Sequence, residues 1–180
     1  MSLLSQPVPP SLRESPRLSA DPEHMRTAMG RFPSGVAAIC AIVDGRPVGM
    51  VVSSFSAGVS HSPPMVMFSV QNSSSTWPQL SAAARLGVSV LGSDQSEACL
   101  QLASRSRDRF EGLSLAASDQ GAVLLDGATM WLECEVVSTT PAGDHQIIVM
   151  QVHGMGADPD RAPLVYHERR FHSLHAIGGR

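Results

Sequence analysis

The chain has 180 residues, of which 43% are hydrophobic and 16% are charged, a composition typical of one globular domain with a buried core. The net charge of −3 and the isoelectric point of about 6.1 argue against sequence-independent binding to the phosphates of nucleic acids. No apolar run approaches the ~20 residues needed to cross a bilayer, and all 13 basic residues are arginine, which excludes every site that requires a lysine.

The N-terminal residues 1–21 are rich in proline and serine and predict a disordered lead-in before a single domain over 22–180. They lack the basic-then-apolar order of a secretory signal, so we expect a cytoplasmic protein. Cys40, Cys99 and Cys134 are widely spaced among apolar neighbours. This spacing predicts reduced thiols packed in the core, and it disfavours a disulfide framework or a zinc ribbon.

The first half of the domain combines short helices with apolar strands. Asp21 as N-cap and Pro22 at the first helical position predict a helix that stops at Gly30. Asp44-Gly45 lies between two apolar runs and is a strong hairpin signal. The predicted strands here are 36–43, 47–54, 65–70 and 87–91, and a second helix is predicted over 76–84.

The second half predicts longer strands. Asp94 and Glu97 resemble a capping box at the start of a helix that runs toward Ser104, and the segment SRSRDRFEG after it predicts an exposed, charged loop. Because most strands are joined to their neighbours by turns, we predict a mainly β fold with a few short helices, in which an antiparallel sheet closes into a barrel. The strands predicted in this half are 129–137, 145–154 and 164–167.

Two kinds of catalytic site are disfavoured. No G-x-S-x-G turn marks a nucleophilic serine. His145 and His153 share a strand face, but eight residues at ~3.3 Å each separate them by about 26 Å, too far to bind one ion. His167, His172 and His175 cluster near the C-terminus, and the odd spacing of the first two predicts opposite faces of a continuous strand. We therefore predict solvated histidines and no metal site.

Two hydroxyl-rich segments follow apolar strands, VVSSFSAGVSHSPP over 51–64 and NSSSTW over 72–77. Serines in such segments often form turns in which their side chains satisfy their own backbone. A second interpretation is a binding surface, because both segments begin where a predicted strand ends and would gather hydroxyl and backbone N–H groups there.

The second segment also leads into a predicted helix, with Ser75 or Thr76 as its N-cap. A helix start with free N–H groups attracts anions. With a guanidinium from Arg107 or Arg109, this pattern is compatible with a ligand that carries a phosphate and is held without lysine or metal.

These segments together resemble the flavin reductase-like family with the FMN-binding split-barrel fold, which includes the reductase components of two-component flavin-dependent monooxygenases. The resemblance covers 22–174. It rests on eight segments in this order: RFPSGV (31–36), DGRPVGMVVSSFSAGVSHSPP (44–64), SVQNSSSTWPQL (69–80), RLGVSVL (85–91), SRDRFEG (106–112), LLDGATMWLECEV (124–136), GDH (143–145) and APLVYHERRF (162–171).

The resemblance implies a homodimer in which each barrel binds FMN or FAD in a groove near the subunit interface. The residues that it implies for the flavin ring and ribityl chain are Ser53, Ser54, Phe55 and Ser56. Those that it implies for the ribityl and phosphate region are Asn72, Ser73, Ser74, Ser75 and Thr76, with Arg109 as the phosphate cation and Ala103 close by.

For NADH or NADPH, the resemblance implies a second set of residues, with His145 closest to the chemistry. The implied reaction is hydride transfer from the nicotinamide to the flavin, which needs no protein nucleophile because the cofactors carry the reactive atoms. The protein supplies stacking geometry and hydrogen-bond donors toward the ring. The other residues of this set are Pro33, Ser34, Gly35, Tyr166, His167, Glu168 and Arg169.

Two positions depart from the family pattern. Met150 stands where family members often have glycine, and a bulkier side chain there would either narrow the nicotinamide approach or repack the core. The sequence Glu168-Arg169-Arg170 replaces a commoner Arg-Gly-Arg-like turn. Three functions stay open: a reductase that supplies reduced flavin to a separate oxygenase, a flavin carrier without turnover, and an interaction module that binds no flavin.

Overall fold

The computed structural model describes residues 18–177, so most of the predicted lead-in over 1–21 lies outside the described residues. The helices are α1 (Pro22–Met29), α2 (Trp77–Leu80) and α3 (Ser96–Leu102). The strands are β1 (Ser34–Gly35), β2 (Ala37–Val43), β3 (Arg46–Val52), β4 (Ser56–His61), β5 (Pro64–Gln71), β6 (Leu86–Val90), β7 (Leu115–Ala117), β8 (Val123–Leu125), β9 (Met130–Ala142), β10 (His145–Ala157), β11 (Leu164–His167) and β12 (Arg170–Ser173).

Seven strands form one antiparallel sheet in the order β3-β2-β6-β9-β10-β5-β4. The sheet bends back on itself so that β3 also contacts β5. Ser54 joins these two strands, since its Oγ donates to the carbonyl of Ser69 at 2.9 Å and accepts from the N–H of Ser69 at 3.0 Å. The barrel is joined here by a side chain instead of a strand ladder, and it remains open beside that bridge. The predicted mainly β, antiparallel barrel is confirmed.

Strand β2 is buried on both faces, which explains its continuous apolar run. Successive side chains of a strand point to opposite faces. Ile39 packs inside the barrel with Phe68 and Met150. Cys40 points the other way and packs outside the barrel in a second apolar cluster with Leu102 of α3. The loop after α3 is thereby held against the outer face of the sheet, next to β3.

The predicted β2–β3 hairpin is confirmed. Asp44 and Gly45 have φ of 50° and 75°, the positive values that a two-residue hairpin turn requires at both central positions. The long β9–β10 hairpin turns at Gly143, with φ of 65°, and places Asp144 and His145 directly after the turn. Both of its strands extend beyond the predicted ends, to Ala142 and Ala157.

Some strands were not predicted, and their composition explains why. β4 is rich in serine and glycine and lies at the edge of the sheet, where one side lacks a partner strand and needs no apolar run. Its pairing with β5 is irregular between Ser56 and Ser60. The remaining unpredicted strands have two to four residues, too few to show a period, namely β1, β7, β8 and β12.

Two helix predictions need correction. α2 ends at Leu80 instead of residue 84, and the Ser81 hydroxyl donates to the carbonyl of Pro78 just beyond its end. Asp94 does not cap α3, because its carboxylate pairs with Arg161 at 3.2 Å. Gln95 occupies the N-cap position of α3, without a side-chain capping hydrogen bond. By contrast, the capping of α1 by Asp21 is confirmed, since its carboxylate accepts from the N–H of His24.

A small second sheet lies beside the barrel, in the order β1-β11-β12. Ser34 pairs with Tyr166 and Gly35 with Val165 across β1 and β11. Because β1 leads directly into β2, this sheet joins α1 and the C-terminal strands to the start of the barrel. None of the helices over 18–177 is long and apolar enough to cross a membrane.

Candidate functional site

A cavity of about 400 Å³ opens beside the Ser54 bridge, where β3 and β5 end, and is called the groove below. Among the described residues that line it, two are arginines and none is acidic, so it favours an anionic ligand with many oxygen atoms. Its lining residues are Met50, Val51, Val52, Ser53, Ser54, Ser69, Val70, Gln71, Ser73, Ser74, Ser75, Thr76, Leu102, Ala103, Arg105, Arg109 and His145.

The second hydroxyl-rich segment forms one wall of the groove, but it caps its helix differently from the prediction. The Ser74 hydroxyl accepts from the N–H of Trp77 at 3.1 Å, and neither Ser75 nor Thr76 makes the predicted side-chain cap. Thr76 instead accepts from Arg109. Because α2 has only four residues, its dipole is small, and the positive character of the groove comes from its arginines.

Arg109 is held firmly at the edge of the groove. Its Nε donates to the carbonyl of Ser104 at 2.7 Å, and its Nη1 donates to the carbonyl of Gly49 at 2.8 Å and to the Thr76 hydroxyl at 2.9 Å. One guanidinium thus links the loop after α3, strand β3 and the start of α2. The segment predicted as an exposed, charged loop is therefore anchored by a half-buried arginine.

His145 lines the groove at its other end, and its orientation is set by the turn before it. Its Nδ1 lies 2.7 Å from Oδ1 of Asp144. This hydrogen bond, together with the charge of the imidazole, lowers the pKa of the Asp144 carboxyl. Asn72 fixes the same turn, because its N–H donates to the carbonyl of Asp144 and its Nδ2 donates to that of Gly143.

Three residues of the predicted flavin set lie outside the groove lining. Phe55 packs against the barrel core, Ser56 pairs with Met67 in the sheet, and Asn72 supports the β9–β10 turn. The other members of that set do line the groove, namely Ser53, Ser54, Ser73, Ser74, Ser75, Thr76, Ala103 and Arg109. Arg107, the alternative cation for this site, lines neighbouring cavities but not the groove.

Of the second predicted set, only Glu168 and Arg169 line a different cavity, of about 800 Å³, between α1 and the β11–β12 turn, called the cleft below. Tyr166 and His167 lie on β11, and Nε2 of His167 lies 3.1 Å from the carbonyl of Arg31. Ser34 is paired opposite Tyr166. The other members of this set, Pro33, Ser34, Gly35, Tyr166 and His167, do not line the cleft, and His145 lines the groove instead. The cleft is lined by Pro22, Glu23, Arg26, Thr27, Gly30, Arg31, Glu168 and Arg169.

The turn at the edge of the cleft has an uncommon backbone. Glu168 and Arg169 have φ of 48° and 65°, values that favour glycine. The N–H of Glu168 donates to the carbonyl of Gly30, and its carboxylate lies 3.8 Å from Nε of Arg31. These contacts tie the turn to the end of α1 and hold the left-handed conformation without a glycine.

Comparison with known proteins identifies the family. Residues 29–175 match the model of the Flavin reductase like domain. The chain is 34% identical over 162 residues to a flavin reductase of Pseudomonas putida, covering 89% of this chain and 95% of the relative.

Two solved structures share the fold. Nitrilotriacetate monooxygenase component B from Mycobacterium thermoresistibile superposes with a TM-score of 0.82 at 29% identity, over 88% of this chain and 90% of the other. The NADH:FAD oxidoreductase SgcE6 of Streptomyces globisporus, in complex with NAD and FAD fragments, superposes with a TM-score of 0.80 at 31% identity, over 86% and 93% of the two chains.

The chain belongs to the flavin reductase-like family. The family prediction, the flavin reductase class of enzyme and the split-barrel fold are therefore confirmed. Of the groove residues, sequence reasoning missed Arg105, although the alternating arginines of SRSRDRF offered a signal for it. It also missed Met50, Val52, Leu102 and other apolar wall residues, which look in the sequence like ordinary core positions.

Met150, which stands where family members often have glycine, belongs to the core of the barrel. Its side chain is fully buried inside the barrel with Phe68 and Ile148. Of the two expected consequences of replacing the usual glycine, repacking of the core is the one that the structure supports. Met150 does not line the groove.

The histidine and cysteine predictions have different outcomes. His167 and His172 do not lie on a continuous strand, because they belong to the β11–β12 hairpin and their rings meet with centroids 5.7 Å apart. Over 18–177 no group of three or more metal-ligating side chains is present. Cys40, Cys99 and Cys134 are free and buried, as predicted, and burial raises their thiol pKa to about 12, 11 and 12 respectively.

Proposed function

We propose that the protein is an NAD(P)H:flavin oxidoreductase that binds FMN or FAD in the groove and supplies reduced flavin to a partner monooxygenase. The observation that carries the proposal is the groove itself, a cavity with a hydroxyl-rich wall, an apolar wall and two arginines, at the open side of a split barrel. When bound, the nicotinamide supplies a hydride and the flavin ring accepts it. The chain has to bind, orient and shield the two molecules.

The chemistry of the groove fits a flavin. Met50, Val52 and Leu102 provide apolar surface that suits a flat ring system. Hydroxyl groups of the two serine-rich segments suit the polar atoms of the ring and of the ribityl chain. The cations suit a phosphate or pyrophosphate group. The residues proposed to hold the flavin are Ser53, Ser54, Ser73, Ser74, Ser75, Thr76, Ala103 and Arg109, which line the groove, with Phe55, Ser56 and Asn72, which lie outside its lining.

His145 is proposed to orient the nicotinamide. Its Nδ1 is taken by Asp144, which leaves Nε2 for a ligand at the end of the groove. A hydrogen bond between this atom and the carboxamide would fix the angle at which the nicotinamide meets the flavin ring. Its effect should fall on the nicotinamide more than on the flavin.

The rest of the nicotinamide nucleotide is assigned to the cleft side. The cleft is lined by three arginines, Arg26, Arg31 and Arg169, and by two carboxylates, Glu23 and Glu168, of which Glu168 pairs with Arg31; the excess of arginine leaves cations for the phosphates of NADH or NADPH. NADH is the donor to test first, because the similar SgcE6 is an NADH:FAD oxidoreductase. The residues proposed for this role are Pro33, Ser34, Gly35, Tyr166, His167, Glu168 and Arg169.

A homodimer and a separate oxygenase are part of the same proposal. Met29 and Phe32, next to the cleft, are 67% and 78% exposed, more apolar surface than a monomer needs at one place. The similarity to a monooxygenase component B supports an oxygenase that receives the reduced flavin. Light scattering after size-exclusion chromatography tests the dimer, and cell fractionation tests the predicted cytoplasmic location.

Equilibrium titration with FMN and FAD, followed by NADH oxidation under saturating flavin, tests the function. Binding of either flavin together with continuous NADH oxidation supports a reductase. Flavin binding with no NADH or NADPH oxidation would identify a carrier. Absence of flavin binding would leave only the interaction module.

A further inference from the structure

The groove contains two arginines that differ in how they are held, Arg105 and Arg109. Three of the five N–H donors of Arg109 are already used by Ser104, Gly49 and Thr76, which leaves its Nη2 group. The side chain of Arg105 makes no hydrogen bond or ion pair to any residue of the described part of the chain, and it is exposed. Its five donors therefore remain available to a ligand.

We infer that Arg105 is the residue that recognises the phosphate of the bound flavin, and that Arg109 mainly positions the wall of the groove. This inference rests on the proposed function and refines it. The predicted phosphate cation was Arg109, but its guanidinium links three segments of the protein, so its removal disturbs the groove for every flavin. Arg105 lies four residues earlier, on the same loop, and can close on a phosphate without giving up a contact within the protein.

The electrostatic setting favours this assignment. Arg105 follows the end of α3 and lines the same groove as Ser73 to Thr76, so a phosphate bound in the groove has both hydroxyls and this guanidinium among the groups that surround it. None of the described groove residues is acidic, so no carboxylate competes for Arg105 there. A guanidinium and a phosphate form paired, charge-assisted hydrogen bonds, stronger than neutral ones.

Two groups could bind Arg105: the terminal phosphate of FMN and the pyrophosphate of FAD. Riboflavin has the same ring and ribityl chain without either group, and it reports all contacts except those to phosphate. The ratio of riboflavin to FMN dissociation constants thus isolates phosphate recognition. A structural disturbance of the groove weakens both flavins and leaves this ratio unchanged.

The experiment measures dissociation constants of FMN, FAD and riboflavin for the full chain and for Arg105→Gln, Arg105→Lys, Arg107→Gln and Arg109→Gln. Arg107 is the matched control, because it lies on the same loop and lines neighbouring cavities instead of the groove. We expect Arg105→Gln to weaken FMN by about tenfold, as for loss of a charge-assisted hydrogen bond, and to leave riboflavin within about twofold. Arg105→Lys should recover part of this loss, since the charge remains.

Arg109→Gln and the salt dependence of FMN binding provide two further checks. Arg109→Gln should weaken FMN and riboflavin to a similar extent and lower the melting temperature. FMN binding should weaken with added salt in the wild type and less steeply in Arg105→Gln. If FAD shows the same response as FMN, the pyrophosphate uses the same cation; if only FMN responds, the terminal phosphate of FMN is the group recognised.

Other outcomes would overturn the inference. Equal effects of Arg105→Gln and Arg107→Gln would mean a general charge effect of the loop. A loss confined to FMN in Arg109→Gln, with Arg105→Gln unchanged, would assign the phosphate to Arg109. A wild type that binds riboflavin as tightly as FMN would remove phosphate recognition while leaving the reductase proposal intact. No binding of any flavin would instead reject the proposed function itself.

Discussion

The groove and the cleft differ in how firmly the protein holds the side chains that line them. Apart from the exposed Arg105, the groove is built on strands and on a tied loop, and Ser54 and Arg109 fix its walls with hydrogen bonds inside the protein. The cleft is lined by long, exposed arginines on a two-turn helix and on a turn with positive φ at Glu168 and Arg169.

This difference matches the demands of the two proposed ligands. A preformed wall needs little ordering when a flat ring binds, so affinity comes from shape and fixed donors. Flexible arginines lose conformational entropy on binding and suit a molecule that must enter and leave in each turnover. In this view the ring and ribityl chain of the flavin are held by the fold, whereas its phosphate and the nicotinamide nucleotide are held by adaptable arginines.

The largest expected effect comes from filling the glycine that supports the groove. A Cβ at Gly49 would lie 2.5 Å from Cys40 Sγ and 2.8 Å from Phe110 Cζ, so Gly49→Ala must displace the side chains of Cys40 and Phe110, the residue that follows Arg109. We expect a loss of about 2–3 kcal/mol in unfolding free energy, the upper range for overpacking, with weaker flavin binding. Gly35→Ala, near the cleft, meets open space and should cost less than about 1 kcal/mol. Equal urea unfolding midpoints for Gly49→Ala and Gly35→Ala would contradict the expected difference in stability between the two variants.

The next effect separates two neighbouring serines of the groove. Ser54→Ala leaves the N–H and carbonyl of Ser69 without their bridge, and we expect about 1–2 kcal/mol less stability together with weaker flavin binding. Ser53→Ala removes a lining hydroxyl that makes no hydrogen bond within the described chain, and should weaken flavin binding with little change in stability. Chemical denaturation and flavin titration measure both. A stability loss for Ser53 as large as for Ser54 would contradict the preformed wall.

A third prediction concerns the end of the groove nearest the nicotinamide. His145→Ala should raise the KM for NADH by about tenfold, the value of one hydrogen bond, and leave the flavin dissociation constant within about twofold. His153→Ala is the control, because His153 lies on the same strand and contacts Glu135 far from the groove. Steady-state kinetics with saturating flavin measure the KM. A larger effect on flavin than on NADH would remove the assigned role.

The smallest effect tests the strained turn of the cleft. Arg169→Gly relieves a positive φ of 65° and should raise the unfolding free energy by about 0.5–1 kcal/mol. The same change removes a cleft cation, so the KM for the nicotinamide nucleotide should rise a few-fold, as for one exposed charge pair. Thermal unfolding and kinetics on one preparation check both signs. A higher stability with an unchanged KM would show that the cleft does not bind the nucleotide.

Local signals predicted much of the barrel. Asp44-Gly45 fixed the β2–β3 hairpin because its positive φ angles need those residue types. Apolar runs marked the long strands because burial needs them. β4 was not predicted, because an edge strand tolerates serine and glycine and shows no apolar run. Asp94 was wrongly predicted to cap α3, because its actual partner, Arg161, lies 67 residues away in the sequence.

The site was predictable where a residue type is itself the signal. The serine segments pointed to the groove directly. The role of each arginine could not be predicted, because in the same SRSRDRF segment Arg109 is fixed by Gly49 and Thr76, whereas Arg105 bonds to none of residues 18–177. The contact of the Asn72 side chain with the carbonyl of Gly143 was not predictable either, because the two residues are 71 positions apart in the sequence.

The most direct test of the account is anaerobic mixing of the protein with each pairing of FMN or FAD with NADH or NADPH, while the visible absorption of oxidised flavin is followed. We expect the band to disappear with at least one pairing, much faster than in a mixture without protein, and we expect His145→Ala to slow this at low nicotinamide concentration. A protein that binds flavin but leaves the band unchanged with all four pairings would contradict it.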